Sequence, residues 1–229
     1  MNVLIFVLFA IICIGFIYIV HKYFGKHEFY LLGVVYSIIS FILSFKIITI
    51  FGLNANMSII FNSGIIGILY YFVSRFGNKE GKKYIMTIMI STISCIILSL
   101  LGSVMLPSIY DDNIILFKEL IIDNLAILLI YPASLLITLL LSNYSFRELK
   151  EVQKNKTFKT ILALIGIVFV DVFVFIYFSY AIIIRFDDSL LIAIDNYFIK
   201  TIYMVTMYFL VNKIIKIKKV KAWILFIYY

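Results

Sequence analysis

Apolar runs long enough to cross a membrane recur from one end of this chain to the other, and nothing constrains its fold more. Seven are legible: roughly Val3–Val20, Phe29–Ile50, Met57–Ser74, Tyr84–Leu106, Leu120–Leu141, Ile161–Ile184 and Asn196–Ile214. Each approaches the ~20 residues that a helix rising ~1.5 Å per residue needs to cover about 30 Å of hydrocarbon. With 64% of its 229 residues hydrophobic, 14% charged and a mean hydropathy of +1.12, the chain is far too apolar for a water-soluble domain. The runs are continuously apolar instead of alternating, which excludes a membrane β-barrel. The sequence therefore predicts an all-α, polytopic helical bundle that forms a single integral membrane domain over residues 1–229.

Charge sets the expected orientation. Of the 20 lysines and arginines, 16 fall in four connections: His21–Glu28, Arg75–Lys83, Ser142–Thr160 and the tail from Lys213. The opposite side carries Lys118 and Arg185 beside Asp111, Asp112, Glu119, Asp123, Asp187, Asp188 and Asp195. The alternation is unbroken over seven crossings, so the amino terminus is expected outside and the carboxyl terminus in the cytoplasm, across the cytoplasmic membrane. The formal net charge of +8 is thus a matter of topology. The basic residues do not decorate a soluble surface, and nucleic acid is excluded as a partner. The tail 211–229, with its lysines and Trp223, is expected to lie on the inner bilayer surface. The first run lacks a basic leader and a small-residue cleavage site, and is read as a retained helix.

Little in the sequence suggests catalysis. Cys13 and Cys95 lie inside apolar runs without a CxxC, and His21 and His27 share one short loop. No HExxH, P-loop or nucleophile–base arrangement is present. The expectation is a non-enzyme with no metal and no cofactor.

Candidate functional residues are instead the charges inside the spans. Asp171 has no other ionisable residue between Ile161 and Ile184. A carboxylate near the middle of a membrane helix costs roughly 2.5–3.5 kcal/mol on insertion scales, so something inside the protein must pair with it or use it. Lys46 and Lys200 are read about one turn from the outer ends of the second and seventh spans. Either could snorkel to the interface, or both could reach down to Asp171 and line an outward-facing cavity. Tyr197, Lys200, Met204 and Met207 or Tyr208 share one side of the seventh span. Asn62 carries an amide that needs partners in a dry interior. Pro132 frees the Leu128 carbonyl in the fifth span, Asp195 and Asn196 read as caps of the seventh, and small residues on the third and fourth spans suit close helix contact.

The order of several segments carries a resemblance. An apolar first helix is followed by HKYFGKHEFYLLGVV, then by SFKIITIFGLNAN, and SRFGNKEGKK closes the third helix. This resembles the VUT family of queuosine precursor transporters, which import 7-deazapurine bases. Lys46, Phe51-Gly52-Leu53 and Gly77-Asn78-Lys79-Glu80 fall on family positions, as do Asp171, Tyr197 and Lys200. Tyr70 and Ser74 stand where the family has an aspartate and a glutamate, and Val168 and Ile167 where it has a glutamine and a serine. The family's late aspartate–threonine–proline is missing around Met207 and Tyr208, and about residues 100–155 the resemblance does not extend.

What the resemblance implies is a small-solute importer with an S-component-like transporter fold. Its outward-opening pocket would be lined by Lys46, Asp171, Tyr197 and Lys200, with Asn62 and Tyr70. Asp171 would accept hydrogen bonds from the ligand, Tyr197 would stack on it or hydrogen-bond to it, and the lysines would hold the acid ionised or meet ligand oxygens. Two rival expectations stand beside it. One is a substrate-capturing component that works with an energising ATPase pair, as in energy-coupling-factor transporters. The other is a non-transporting membrane scaffold, which an acid sealed in a dry salt bridge would favour and a polar cavity around Asp171 would disfavour.

Overall fold

A computed structural model describes residues 2–104, 119–151, 155–183 and 186–217. Residues 218–229 of the expected tail, with Asp111, Asp112, Lys118 and Arg185, lie outside the described residues, whereas residues 211–216 belong to the last helix. Helices α1 (Asn2–Tyr23), α2 (Lys26–Leu43), α3 (Ile59–Phe76), α4 (Asn78–Ser103) and α5 (Leu125–Glu151) follow one another along the chain, with a short β-hairpin between α2 and α3. Next come α6 (Lys156–Val172), a π-helical turn (Phe173–Tyr177), α7 (Phe178–Ile183) and α8 (Phe186–Lys216). Helices α6 and α7 are two arms of one span. Among the described residues, seven spans are therefore long and apolar enough to cross a bilayer, and the protein is an all-α polytopic bundle.

Helix α3 is the axis. It is buried at every position from Ile59 to Val73 and packs against α1, α2, α4, α5 and α8. Lipid supplies no hydrophobic drive between helices, so close packing depends on small residues. Gly64 and Gly67 provide it: a methyl group on Gly64 would sit 2.7 Å from Cys13 Sγ of α1, and one on Gly67 3.1 Å from Met207 Cγ of α8. On α4, Ser91 Oγ meets Ser37 Oγ of α2 at 2.7 Å, whereas Ser94 of the same stripe is exposed. Helix α5 continues through Pro132. Helix α1, with 11% of its span buried, is the outermost element.

Hydrogen bonds sort the helix ends into two layers without reference to charge. In one layer His21 donates through Nε2 to the Ile217 carbonyl at 3.0 Å, Arg75 donates to the Ile215 carbonyl at 3.4 Å, and Lys150 to the Val73 carbonyl at 3.5 Å. Asn143 also donates to Asn78 Oδ1 at 2.7 Å, and Lys26 pairs with Glu80 at 3.0 Å. This is the lysine- and arginine-rich end. In the other layer Asn2 donates to the Thr49 carbonyl at 3.3 Å, and Tyr180 to the Ser44 carbonyl at 3.2 Å. The up-and-down alternation expected from charge is thus built into the contacts.

The second span departs from expectation. Its helix ends at Leu43, and Ile47–Ile50 pairs antiparallel with Leu53–Asn56 as strands β1 and β2. The run IITI is β-branched throughout, which favours strand over helix. The turn between the strands is Phe51-Gly52, both with positive φ (52° and 82°), the arrangement of a two-residue hairpin turn. Lys46 therefore lies just past the end of α2, at the foot of the hairpin, and not within a span.

Asp195 and Asn196 are also not helix caps, because α8 begins nine residues earlier, at Phe186. They cover the free edge of β2. Asp195 Oδ2 accepts from the Asn54 amide at 2.9 Å and Asn196 Oδ1 from the Asn56 amide at 2.7 Å, while Asn196 Nδ2 donates to the Asn54 carbonyl at 3.2 Å. Unpaired strand groups would be costly at a membrane boundary, and these side chains satisfy them.

Candidate functional site

Asp171 is the penultimate residue of α6 and faces the protein interior, 2% exposed. Three donors from two other helices converge on it. Thr138 and Ser134 of α5, one turn apart, donate to Oδ1 at 2.7 and 3.0 Å. The Lys200 ammonium of α8, itself 3% exposed, forms an ion pair with Oδ2. Both carboxylate oxygens are satisfied, which is what lets a charge persist where desolvation alone would cost several kcal/mol. Hydrogen bonds to an ionised acceptor are also roughly twice as strong as neutral ones.

The backbone beside this pair is irregular. Directly after Val172 the helix widens into the π turn Phe173–Tyr177 and then resumes as α7. Such single-turn widenings break the regular bonding ladder and are frequent at functional positions. Among the described residues, Asp171 is the partner of Lys200, so two of the three ammonium hydrogens are left unspent. Asn62 Oδ1 on α3 is also buried and, among the described residues, has no hydrogen-bond partner.

The level of Asn62 follows from register. Asn56 meets Asn196, Tyr70 meets Asn212 and Arg75 meets Ile215, a nearly constant offset that makes α3 and α8 parallel. On that register Asn62 lies within about one helical turn of Lys200 in height.

The other candidates are dispersed. Tyr70 donates to Asn212 Oδ1 at 3.4 Å and packs edge-on against Phe146 and Tyr208. Asn212 is twelve residues along α8 from Lys200, about 18 Å, so Tyr70 belongs to a different layer. Tyr197 is half-buried with its ring edge-on to Phe169 at 6.0 Å, at the flank of the pair. Lys46 is exposed and borders a small cavity of about 190 Å³ with Asn2, Phe9 and Met57. It does not share in the ion pair. The expected cage of two lysines around one acid is thus one lysine and two hydroxyls.

Sequence reasoning missed Ser134 and Thr138. Their signal is a serine and a threonine four residues apart in the otherwise apolar stretch ILLIYPASLLITLLL, facing one way from a helix. Among the described residues, no group of three or more His, Cys, Asp or Glu side chains converges as a metal site would require.

No protein-family model matches this sequence, and no curated protein or solved structure matches it. Fold and site define a polytopic membrane bundle, with seven spans among the described residues and a buried, hydroxyl-supported ion pair between α5, α6 and α8.

Proposed function

We propose that this protein is a small-solute uptake transporter of the cytoplasmic membrane whose ligand site is the Asp171–Lys200 pair. The observation that carries this reading is the pair itself. A carboxylate and an ammonium from different helices meet inside the bundle beside a π turn, with unspent donors on the ammonium. Replacing a buried ion pair by apolar residues is often neutral or stabilising by about 1–4 kcal/mol, so packing alone is a weak reason for its presence.

The pair also suggests the kind of ligand. A solute with an N–H beside a carbonyl or ring acceptor can take over both halves of the interaction. Its N–H meets Asp171 and its acceptor meets Lys200, so neither charge is left uncompensated when they separate. A 7-deazapurine base, the substrate class implied by the resemblance, has such an edge and is the first compound to test. In this reading the amino terminus lies outside, the carboxyl terminus in the cytoplasm, and the bundle alternates between faces around the pair.

The test is uptake of a labelled 7-deazapurine by cells or proteoliposomes containing the protein, compared with Asp171→Asn and Lys200→Met. Loss of uptake in both variants, with a monodisperse and folded protein, supports the reading. Undiminished uptake in both would remove the site.

One observation favours a second reading, a non-transporting membrane scaffold. Both charges are almost fully buried, both carboxylate oxygens are satisfied, and the clefts beside Lys26, Lys46 and Phe61 are lined by neither residue. In a scaffold the pair only fixes how α5, α6 and α8 pack. Its removal would then change thermal stability, and no candidate base would bind the purified protein.

A further inference from the structure

A different site lies at the lysine-rich end of the bundle, where the first turns of α2 and α4 stand side by side. They enclose a cleft of about 520 Å³. Lys26, His27, Lys82 and Lys83 line it, with one acid, Glu80. Glu80 holds the walls in place. It pairs with Lys26 at 3.0 Å through Oε2 and with Lys83 at 3.2 Å through Oε1, and it accepts from Tyr30 Oη at 2.9 Å. Each lysine uses one of its three hydrogens in this way. Three ammonium groups face one carboxylate, so the cleft keeps an excess of positive charge even with His27 neutral.

The second observation is what lies beneath. Met86 lines the membrane side of the cleft. From it an exposed apolar stripe runs along α4 through Ile90, Ile93, Ile97 and Leu101, all between 45% and 62% exposed. These positions repeat at three or four residues and so share one face of the helix. The stripe begins at the charged cleft and extends into the hydrocarbon.

We propose that this cleft binds the phosphate of an anionic phospholipid, whose acyl chains lie along the α4 stripe. The chemistry fits in both parts. A phosphodiester is a monoanion with acceptor oxygens for Lys26, Lys82 and Lys83, and its esterified chains need an apolar surface directly below the headgroup. The end of the bundle fits as well, because the excess of lysine and arginine there is the mark of the cytoplasmic side, whose leaflet is negatively charged. A soluble phosphate would use the cleft but not the stripe. The proposal does not depend on the transport reading.

The experiment is native mass spectrometry of the full-length protein in detergent, titrated with phosphatidylglycerol or phosphatidylcholine. Phosphatidylglycerol is expected to bind at least about tenfold more tightly, with about a fivefold loss for each lysine removed from the cleft. Lys82→Met with Lys83→Met is the first variant. Lys82 is exposed and outside the bonds of Glu80, so Lys82→Met alone carries the test should the double variant misfold. Lys213→Met with Lys216→Met, at the same end of the bundle but outside the cleft, is the control and is expected to keep full affinity. Equal binding of the two lipids, or an equal loss in the control, would overturn the proposal. Inorganic phosphate that displaces phosphatidylglycerol at matched concentration would overturn it too, since the acyl chains would then contribute nothing.

Discussion

Lys200 and Asp171 meet across the α6–α8 interface, 29 residues apart in sequence and both nearly inaccessible to solvent, as an ion pair closed inside the bundle. Around this contact the bundle brings together the groups that distinguish it from a set of greasy helices.

Breaking the pair from one side is expected to destabilise more than removing both halves. Asp171→Asn leaves a buried ammonium and Lys200→Met leaves a buried carboxylate, each at about 3–5 kcal/mol. The double variant leaves neither charge. Thermal unfolding in detergent should rank it above both single variants, and a double variant less stable than either would contradict the pairing.

The hydroxyls of α5 are expected to support the carboxylate unequally. Thr138→Val removes the shorter bond and Ser134→Ala the longer one, each costing about 1.5–3 kcal/mol at most, with Thr138 the larger. If Asp171 also handles a ligand, both substitutions should weaken uptake without abolishing it. The comparison to make is uptake rate against melting temperature for the two variants.

The hairpin turn has room for improvement. Phe51 is 84% exposed and adopts φ +52°, a conformation that asparagine tolerates better than a bulky residue. Asn-Gly is the preferred pair for this turn, so Phe51→Asn should stabilise the hairpin by up to about 1 kcal/mol. Gly52→Val, at φ +82°, should cost about 1–3 kcal/mol. Hydrogen exchange over residues 47–56 reads both, and the two substitutions should move protection in opposite directions.

Asp195→Ala and Asn196→Ala should expose the same segment by a different route. They remove side chains that bond the backbone of β2 at Asn54 and Asn56, and leave the helix itself intact. Limited proteolysis should cut within the hairpin faster in both variants. An unchanged rate would show that the hairpin holds without α8.

Two glycines should respond in opposite ways to alanine. Gly64→Ala places a methyl group within 3.0 Å of Cys13 Sγ and the Tyr36 ring, and should destabilise by about 1–3 kcal/mol. Gly166→Ala meets nothing within 4 Å and sits inside α6, so it should be neutral or stabilise by up to about 1 kcal/mol. Melting temperatures of the two variants decide the matter.

Much of this protein was legible from one dimension because a membrane imposes one-dimensional rules. A bilayer of fixed thickness requires apolar runs of fixed length, and uncompensated charge cannot stay in hydrocarbon without a use. Span number, the alternation of helix ends and the prominence of Asp171 and Lys200 all follow from those two facts. The departures have equally physical causes. Ile47–Ile50 is as apolar as a helix end, so hydropathy extended the second span through Lys46, while β-branching and the Phe51-Gly52 turn made a hairpin.

Ser134, Thr138 and the offset between α3 and α8 depended on which face each helix turns to its neighbours. In lipid every face is apolar, so periodicity is weak and rotation about the helix axis leaves almost no trace in the order of residues. The sequence by itself determined that seven helices cross and that a carboxylate must be accompanied within them. Only the tertiary structure decided which amine and which two hydroxyls accompany it, because that is set by side-chain packing between helices far apart along the chain.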